Sequence, residues 1–271
     1  MEYKLPQRIE NSNKSTYGRV LNIAGSQYMT GAAYLSSVSA LKIGCGYCFL
    51  CSCERVIDAV AAKTNAIVFV PLDKLEQNIK NADVTEIGCG LGVDETARNI
   101  FITTLNNADI SKPLIIDADG LNILSDIKED FINKGFKQVI LTPHPKEASR
   151  LLGCKTEDVL NNIEYSAKQI SDLYNCVTVL KTNKTYIYSP EYKNYTNTTG
   201  NNAMAKAGSG DVLTGMISGL TAQGTNIFEA ACLGVYLHGK SGDFASENLT
   251  QYCVMPDDLI DYIPQAVKTL I

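Results

Sequence analysis

The chain has 271 residues, 45% of them apolar and 20% charged, with a formal net charge of -5. That composition excludes a disordered or collagen-like chain, and the acidic balance with no long Lys/Arg run excludes a general nucleic-acid binder, which needs clustered cations against phosphate. One domain spanning 1–271 is expected, because single α/β domains of about 200 to 300 residues are common. The lead MEYKLPQRIENSNKS is polar, without the apolar stretch and small-residue cleavage site of a secretory signal. No segment approaches the roughly 18 to 20 continuous apolar residues that span a bilayer, so a cytoplasmic protein with no membrane partner is expected.

From about residue 20 to residue 180, apolar runs alternate with amphipathic segments, the pattern of a mostly parallel sheet covered by helices on both faces. Strands are predicted at Val20 to Ala24, Tyr47 to Cys51, Ala66 to Val70, Asp83 to Ile87, Leu114 to Asp117, Gln138 to Leu141 and Val177 to Leu180. Apolar residues at three- and four-residue spacing predict helices at Thr30 to Ile43, Asp94 to Asn107, Pro145 to Leu152 and Thr156 to Tyr174. TYIYSPEYKNYTNTT then alternates β-branched or aromatic residues with polar ones around Ser189-Pro190-Glu191, which predicts a closing antiparallel hairpin. Helices follow at Asp211 to Ala222, Ile227 to Glu247 and Asp257 to Leu270.

The nine cysteines are read as reduced thiols, most of them in the core. GCGYCFLCSCE contains a C-x-x-C, but its residues 46–52 read as a buried strand. Alternation would put Cys45, Cys51 and Cys53 on one face and Cys48 on the other, so four metal ligands would not converge.

The sharpest chemical signal is MAKAGSGDVLTGMISGL, Met204 to Leu220, where a glycine-bracketed turn runs straight into a helix. Gly208, Ser209 and Gly210 can aim successive N–H groups into one concavity, and the helix adds its positive end: an anion hole of the kind phosphoryl transfer needs. Asp211, at the helix start, could accept a proton from an attacking hydroxyl; an ordinary N-cap is the bland alternative. TPHPKEASRLLG puts His144 and Glu147 just past a strand end, where parallel-sheet enzymes bind ligands. LIIDADGLNIL ends a strand in Asp117 and Asp119, either ligand or magnesium contacts or a helix cap. VLKTNKT ends another in Lys181, whose ammonium could reach a nucleotide phosphate. Small residues on one helix of AGSQYMTGAAYLSSVSALKIG, among them Gly31, Ser36 and Ala40, imply that another helix or a ligand packs very close.

Together AGSQYMTGAAYLSS, GCGLG, DADGLN, LTPHPKE, LKTNKT, AGSGDVLTG and GVYLHGKSGD cover nearly the whole chain and resemble, in order, the ADP- or ATP-dependent NAD(P)H-hydrate dehydratases of the ribokinase-like superfamily. The resemblance implies a three-layer α/β sandwich without the epimerase domain fused to some relatives. It also implies a metabolite-repair lyase: the hydroxyl of the S-epimer of hydrated NADH or NADPH is phosphorylated and phosphate leaves, regenerating NAD(P)H with AMP from ADP, or ADP from ATP. On that likeness substrate positions fall on Ala40, Gly92, His144 and Asp211. Nucleotide positions fall on Lys181, Thr182, Asn183, Lys184, Thr185 and Gly210, and Asp211 is the base. Glu147 falls where related kinases carry an acidic residue acting on magnesium and phosphate. Mg2+, an ADP co-substrate as in stand-alone bacterial members, and a homotetramer are the further expectations. Thr182, Gly120 and Ala207 depart from the family pattern, which more often has glycine, alanine and glycine there.

Three rivals stand beside this reading. A ribokinase-like kinase of a hydroxymethyl or hydroxyethyl vitamin precursor would use the same anion hole and base. VTEIGCGLG looks like the first motif of a methyltransferase, which gives no reason for AGSGD or LKTNKT. A nucleotide sensor that lost turnover would have no need of Asp211.

Overall fold

The computed structural model describes residues 3–192 and 194–271; residues 1 and 2 of the polar lead and residue 193 of the predicted hairpin lie outside the described residues. The first half alternates β1 (Arg19–Ile23), α1 (Thr30–Lys42), β2 (Tyr47–Ser52), α2 (Glu54–Ala61), β3 (Val68–Pro71), α3 (Leu75–Asn81), β4 (Val84–Ile87) and α4 (Glu95–Asn107). Next come β5 (Leu114–Ile116), α5 (Ala118–Asp126), α6 (Lys128–Lys134), β6 (Val139–Leu141), α7 (Pro145–Leu152), α8 (Thr156–Asn161), α9 (Ile163–Tyr174) and β7 (Val177–Leu180). The hairpin β8 (Tyr186–Tyr188) and β9 (Tyr195–Thr196) precedes α10 (Ser209–Ala222), α11 (Ile227–Leu249) and α12 (Pro256–Lys268).

The strands form one sheet in the order β3-β2-β1-β4-β5-β6-β7-β8-β9, parallel through β7 and antiparallel in the last two pairings. Alternate side chains of the central strands feed two cores. Leu21, Ile23, Ile87, Leu114, Ile116 and Leu141 pack with Phe101, Leu121 and Ile170 of α4, α5 and α9. Val20, Val84, Ile115, Ile140 and Val179 pack with Leu213, Ile217 and Val235 of α10 and α11 on the opposite face. The result is the expected three-layer sandwich. No helix among the described residues is long and apolar enough to cross a membrane.

Three details differ from the sequence reading. The helix predicted over Thr156 to Tyr174 breaks at Asn162, φ -140° and ψ 54°, which lets Val159 and Ile170 both reach the same core. α2, α3 and α6 are only 8, 7 and 7 residues long, too short for a helical period to stand out in a window of about 11 to 18 residues. Cys45 precedes the strand, so alternation does not govern it: it joins Cys48 in the core under α10, while Cys51 lies in the opposite core. Burial pushes the Cys45 and Cys51 thiols up to about 12.

What packs against the small-residue face of α1 is α10. A Cβ on Gly215 would overlap the Ser36 carbonyl oxygen and Ser39 Oγ, and one on Gly219 would fall 2.5 Å from the Ala40 carbonyl oxygen. The buried hydroxyls of Ser36 and Ser39 are satisfied within α1, on Ala32 and Leu35 carbonyls at 2.9 and 2.7 Å, so the tight interface leaves neither unpaired. This contact fixes how far α10, and the turn before it, stands from the sheet. Gly215→Ala should gain up to about 1 kcal/mol of helix propensity yet lose about 3 kcal/mol overall through the forced separation of the helices. Chemical denaturation checks this; a loss under 1 kcal/mol would show that α1 and α10 part freely.

Candidate active site

The carboxyl ends of β5, β6 and β7 open into a cleft of roughly 800 Å³ beneath the start of α10, lined by Asp117, His144, Glu147, Lys181, Gly208, Gly210 and Asp211, among others. A depression of similar size, about 840 Å³, lies between α3 and α4 on the outer layer, with the exposed Lys74, Glu76 and Lys80 at its wall. Only the first gathers buried ionisable groups at strand ends, where an open parallel sheet places ligands.

At its floor Lys181 Nζ donates to Asp117 Oδ1 at 2.7 Å, and Thr214 Oγ1 of α10 donates to Asp117 Oδ2 at 2.6 Å. Burial opposes both charges. The Lys181 ammonium and the hydrogen bonds nevertheless hold the Asp117 carboxyl below the usual range, and Asp117 with Glu147 holds Lys181 above its own. Asp211, one turn before Thr214, has no such cation to itself. Burial, and then repulsion from Asp117, push its carboxyl up to about 6, against the opposing pull of Cys89 and Lys181.

The turn before α10 depends on Gly208, whose φ of +99° is left-handed and whose missing Cβ leaves room for Leu35 and Pro256. The Ser209 amide is taken by the Lys206 carbonyl at 3.2 Å and the Val212 amide by the Gly208 carbonyl, also at 3.2 Å. Gly210 and Asp211 are therefore the first-turn amides left for a ligand. Of the three residues expected to form the anion hole, only Ser209 has its amide engaged by a backbone carbonyl; those of Gly208 and Gly210 are not.

His144 caps α7 in a reciprocal box. Its Nδ1 accepts from the Lys146 and Glu147 amides at 3.1 and 3.3 Å, while Glu147 Oε2 accepts from the His144 amide at 2.8 Å. The acceptor role of Nδ1 places the neutral ring's proton on Nε2, 3.1 Å from Glu147 Oε1. Ala118 holds a left-handed φ of +48° between two aspartates, turning Asp117 to Lys181 and Asp119 to the Gly92 amide, which donates to Asp119 Oδ2 at 2.8 Å.

A sequence profile of the NAD(P)H-hydrate dehydratase family matches residues 20–265. The chain belongs to that family. It is 38% identical over 245 residues to the ADP-dependent (S)-NAD(P)H-hydrate dehydratase of Neisseria meningitidis, covering 89% of this chain and 81% of that one. It is 36% identical to a bifunctional NAD(P)H-hydrate repair enzyme of Moorella thermoacetica, and there the chain spans only 52% of the relative's length. Among solved structures, the ADP/ATP-dependent NAD(P)H-hydrate dehydratase of Bacillus subtilis, co-crystallised with ATP and Mg2+, superposes with a TM-score of 0.86 at 30% identity, covering 98% of this chain and 95% of that one.

Within this member of the dehydratase family the cleft brings together Asp211, Gly210, His144, Glu147, Lys181, Thr182, Asn183 and Thr185. Gly92 lies at the neighbouring strand end, tied to Asp119. Two expected residues stand apart. Lys184 is exposed and off the cleft wall, and Ala40 is fully buried against Gly219 in the α1–α10 contact, so it offers no atom to a ligand. Lys181 is not a free cation either, being held by Asp117. Two further wall residues, Lys206 and His238, lie inside the quoted motifs MAKAGSGD and GVYLHGKSGD but carried no expected role; burial drops the His238 imidazole to about 4, keeping it neutral.

Behind the cleft Glu86 of β4 sits fully buried beside its register partner Asn22 of β1. Cys89 Sγ bridges Glu86 Oε1 at 3.8 Å and Asp117 Oδ2 at 4.0 Å, while Asn22 Nδ2 donates to Ser36 Oγ and Ser37 Oγ at 2.7 and 2.9 Å. Burial, with repulsion from Asp117 and Asp211, pushes Glu86 up to about 8 from an ordinary 4.5. A raised folded-state pKa means stability that is whole below pH 4.5 and lost as pH climbs through about 8. Glu86→Gln, neutral throughout, should therefore gain on the wild type over that window by a few kcal/mol (order of magnitude), read as a gap in Tm that widens from pH 5 to pH 8. A gap constant with pH would show Glu86 ionised in the fold. Lys181→Met should cost about 3 kcal/mol in urea, because it strands the buried Asp117 carboxylate; adding Asp117→Asn should recover much of that loss, and an unchanged double mutant would refute the pairing.

Proposed function

We propose that this chain is an ADP-dependent lyase of metabolite repair, restoring NADH or NADPH from the S-epimer of its hydrate. The observation that carries the reading is Asp211: a carboxylate beside the free amides of the α10 turn, raised to about 6 and so unprotonated yet basic near neutral pH. The Neisseria and Bacillus relatives are named for this reaction.

The hydroxyl on the hydrated nicotinamide ring attacks the terminal phosphorus of ADP as Asp211 takes its proton; the phosphorus–oxygen bond to AMP breaks. The amides of Gly210 and Asp211 face the charge that spreads over the phosphoryl oxygens in transfer. The ring nitrogen's lone pair then expels phosphate with its carbon–oxygen bond electrons, and loss of a proton from the neighbouring ring carbon restores the double bond. Hydrated dinucleotide and ADP become NAD(P)H, AMP and phosphate.

The residues fit magnesium carried in by the nucleotide rather than one caged by protein. Among the described residues no three His, Cys, Asp or Glu side chains gather as ligands, and both oxygens of Glu147 are engaged by His144. Glu147 would face the ion through water, and the ion would neutralise phosphate charge. Gly210, Lys181, Thr182, Asn183 and Thr185 form the nucleotide side of the cleft, and His144, with Gly92 beyond it, the dinucleotide side.

Purified protein given hydrated NADH, Mg2+ and either ADP or ATP should regain dihydronicotinamide absorbance only with nucleotide, and faster with ADP. No recovery with either donor would shift the reading to a kinase of a small alcohol. Asp211→Asn should lower kcat by about 10³-fold or more, and the wild-type kcat/KM should fall tenfold per pH unit below about 6 as Asp211 takes its proton. A flat profile between pH 5 and 7 would remove Asp211 as the base.

A further inference from the structure

Seven ionisable side chains line the cleft: Asp117, Glu147, Asp211, Lys181, Lys206, His144 and His238. His238 is neutral, and Lys181 is neutralised by Asp117 at 2.7 Å. Glu147 and Asp211 then leave the wall acidic, although the ligands of the proposed reaction carry phosphates. Lys206 alone among these lining groups is a cation with no carboxylate partner. It lies two positions before Gly208, at the entrance to the α10 turn, half-buried.

Its ammonium is also held in place. Lys206 Nζ donates to the Tyr252 carbonyl at 2.8 Å and lies 4.0 Å from Met255 Sδ, both on the segment that joins α11 to α12. The start of α12, just beyond that segment, packs on the turn, since Pro256 fills the space a Cβ of Gly208 would take. Two of the three ammonium N–H groups are thereby used on neutral acceptors, which fixes the head without cancelling its charge; one donor is left. A positioned, uncancelled ammonium at the mouth of an anion hole suits a phosphate that is not itself transferred.

We propose that Lys206 is a phosphate-binding residue of the cleft, ligating a non-transferred phosphate of the nucleotide or of the dinucleotide substrate. The inference rests on the functional reading above and adds to it a determinant of affinity that the glycine turn does not contain. Because Lys206 lines the same cleft as Gly210 and Asp211, four and five positions after it, it can share one phosphate chain with their amides, the backbone facing the transferred group and Lys206 its neighbour.

The test is calorimetric titration of ADP, adenosine and hydrated NADH into wild type, Lys206→Met and Lys206→Arg, with Tm measured for each. Methionine keeps the side chain's length and packing and removes its charge. ADP affinity is expected to fall tenfold or more in Lys206→Met while adenosine binding changes less than twofold, with arginine restoring most of the loss; this assigns the nucleotide's phosphate. A loss confined to hydrated NADH assigns the dinucleotide's pyrophosphate instead. ADP and hydrated NADH affinities within twofold of wild type, or adenosine weakening in step with ADP, overturn the proposal, the second outcome marking Lys206 as a tether of the α11–α12 segment. Wild type that binds neither ADP nor hydrated NADH overturns this proposal and the functional reading together, whereas a wild type that turns over and a methionine variant that binds normally overturn this proposal alone.

Discussion

Asp117 is the point at which the separate layers of this molecule meet. Its carboxylate closes β5, takes the ammonium of Lys181 from the end of β7 and the hydroxyl of Thr214 from α10, and touches the thiol that follows β4. A buried ion pair of this kind is a weak source of net stability, because removing two charges from water costs nearly what their attraction returns. Its consequence is positional. It fixes the strand ends and α10 relative to one another, and it sets a permanent negative charge beside Asp211. The raised pKa of Asp211 follows from burial first and from that neighbour second, so the basicity that the proposed reaction asks of Asp211 depends in part on a residue that takes no proton itself.

Much of the fold was legible in the sequence because parallel strands buried on both faces are written as short apolar runs. VTVL and LII admit little else. The turn into α10 was legible too, since glycines just before an aspartate permit the left-handed backbone that such a turn needs. What stayed hidden was long-range or too short. Lys181 and Asp117 are 64 positions apart, and each alone reads as a strand-end polar residue with several uses. Short helices such as LEQNIKN carry fewer than two full turns of pattern. Glu86 was concealed by its type: a carboxylate in VTEI suggests an exposed strand face, and nothing local tells that Asn22 is its partner across the ladder. Ala40 shows the converse error, where a small residue on a close-packed face was given to a ligand and belongs to a helix contact.

The family match and the geometry constrain different things. Membership in the NAD(P)H-hydrate dehydratases rests on a profile that spans residues 20–265 and says nothing of protonation. The cleft says which groups are free to act, and these are few. Lys181, Glu147 and the Ser209 amide, all natural candidates from sequence, already have partners within the protein. The amides of Gly210 and Asp211 have no backbone acceptor, and the Asp211 carboxyl has no cation to itself, which is why the proposed reaction is placed on one turn of one helix.

The proposed reaction puts a base and a phosphate site on the same turn, which presents an electrostatic difficulty. A cation placed close enough to grip the phosphoryl group would also lower the pKa of Asp211 and weaken it as a base, as Lys181 does to Asp117. Backbone amides avoid much of this: they are neutral, already oriented by the helix, and need no reorganisation as charge builds in transfer. The close α1–α10 packing keeps those amides from moving. Gly215 and Gly219 press α10 onto the carbonyls of α1, and Gly208 wedges the turn between Leu35 and Pro256. In the proposed reaction the small residues along α1 would thus act without touching a ligand, by holding the donors where a flexible loop would let them drift.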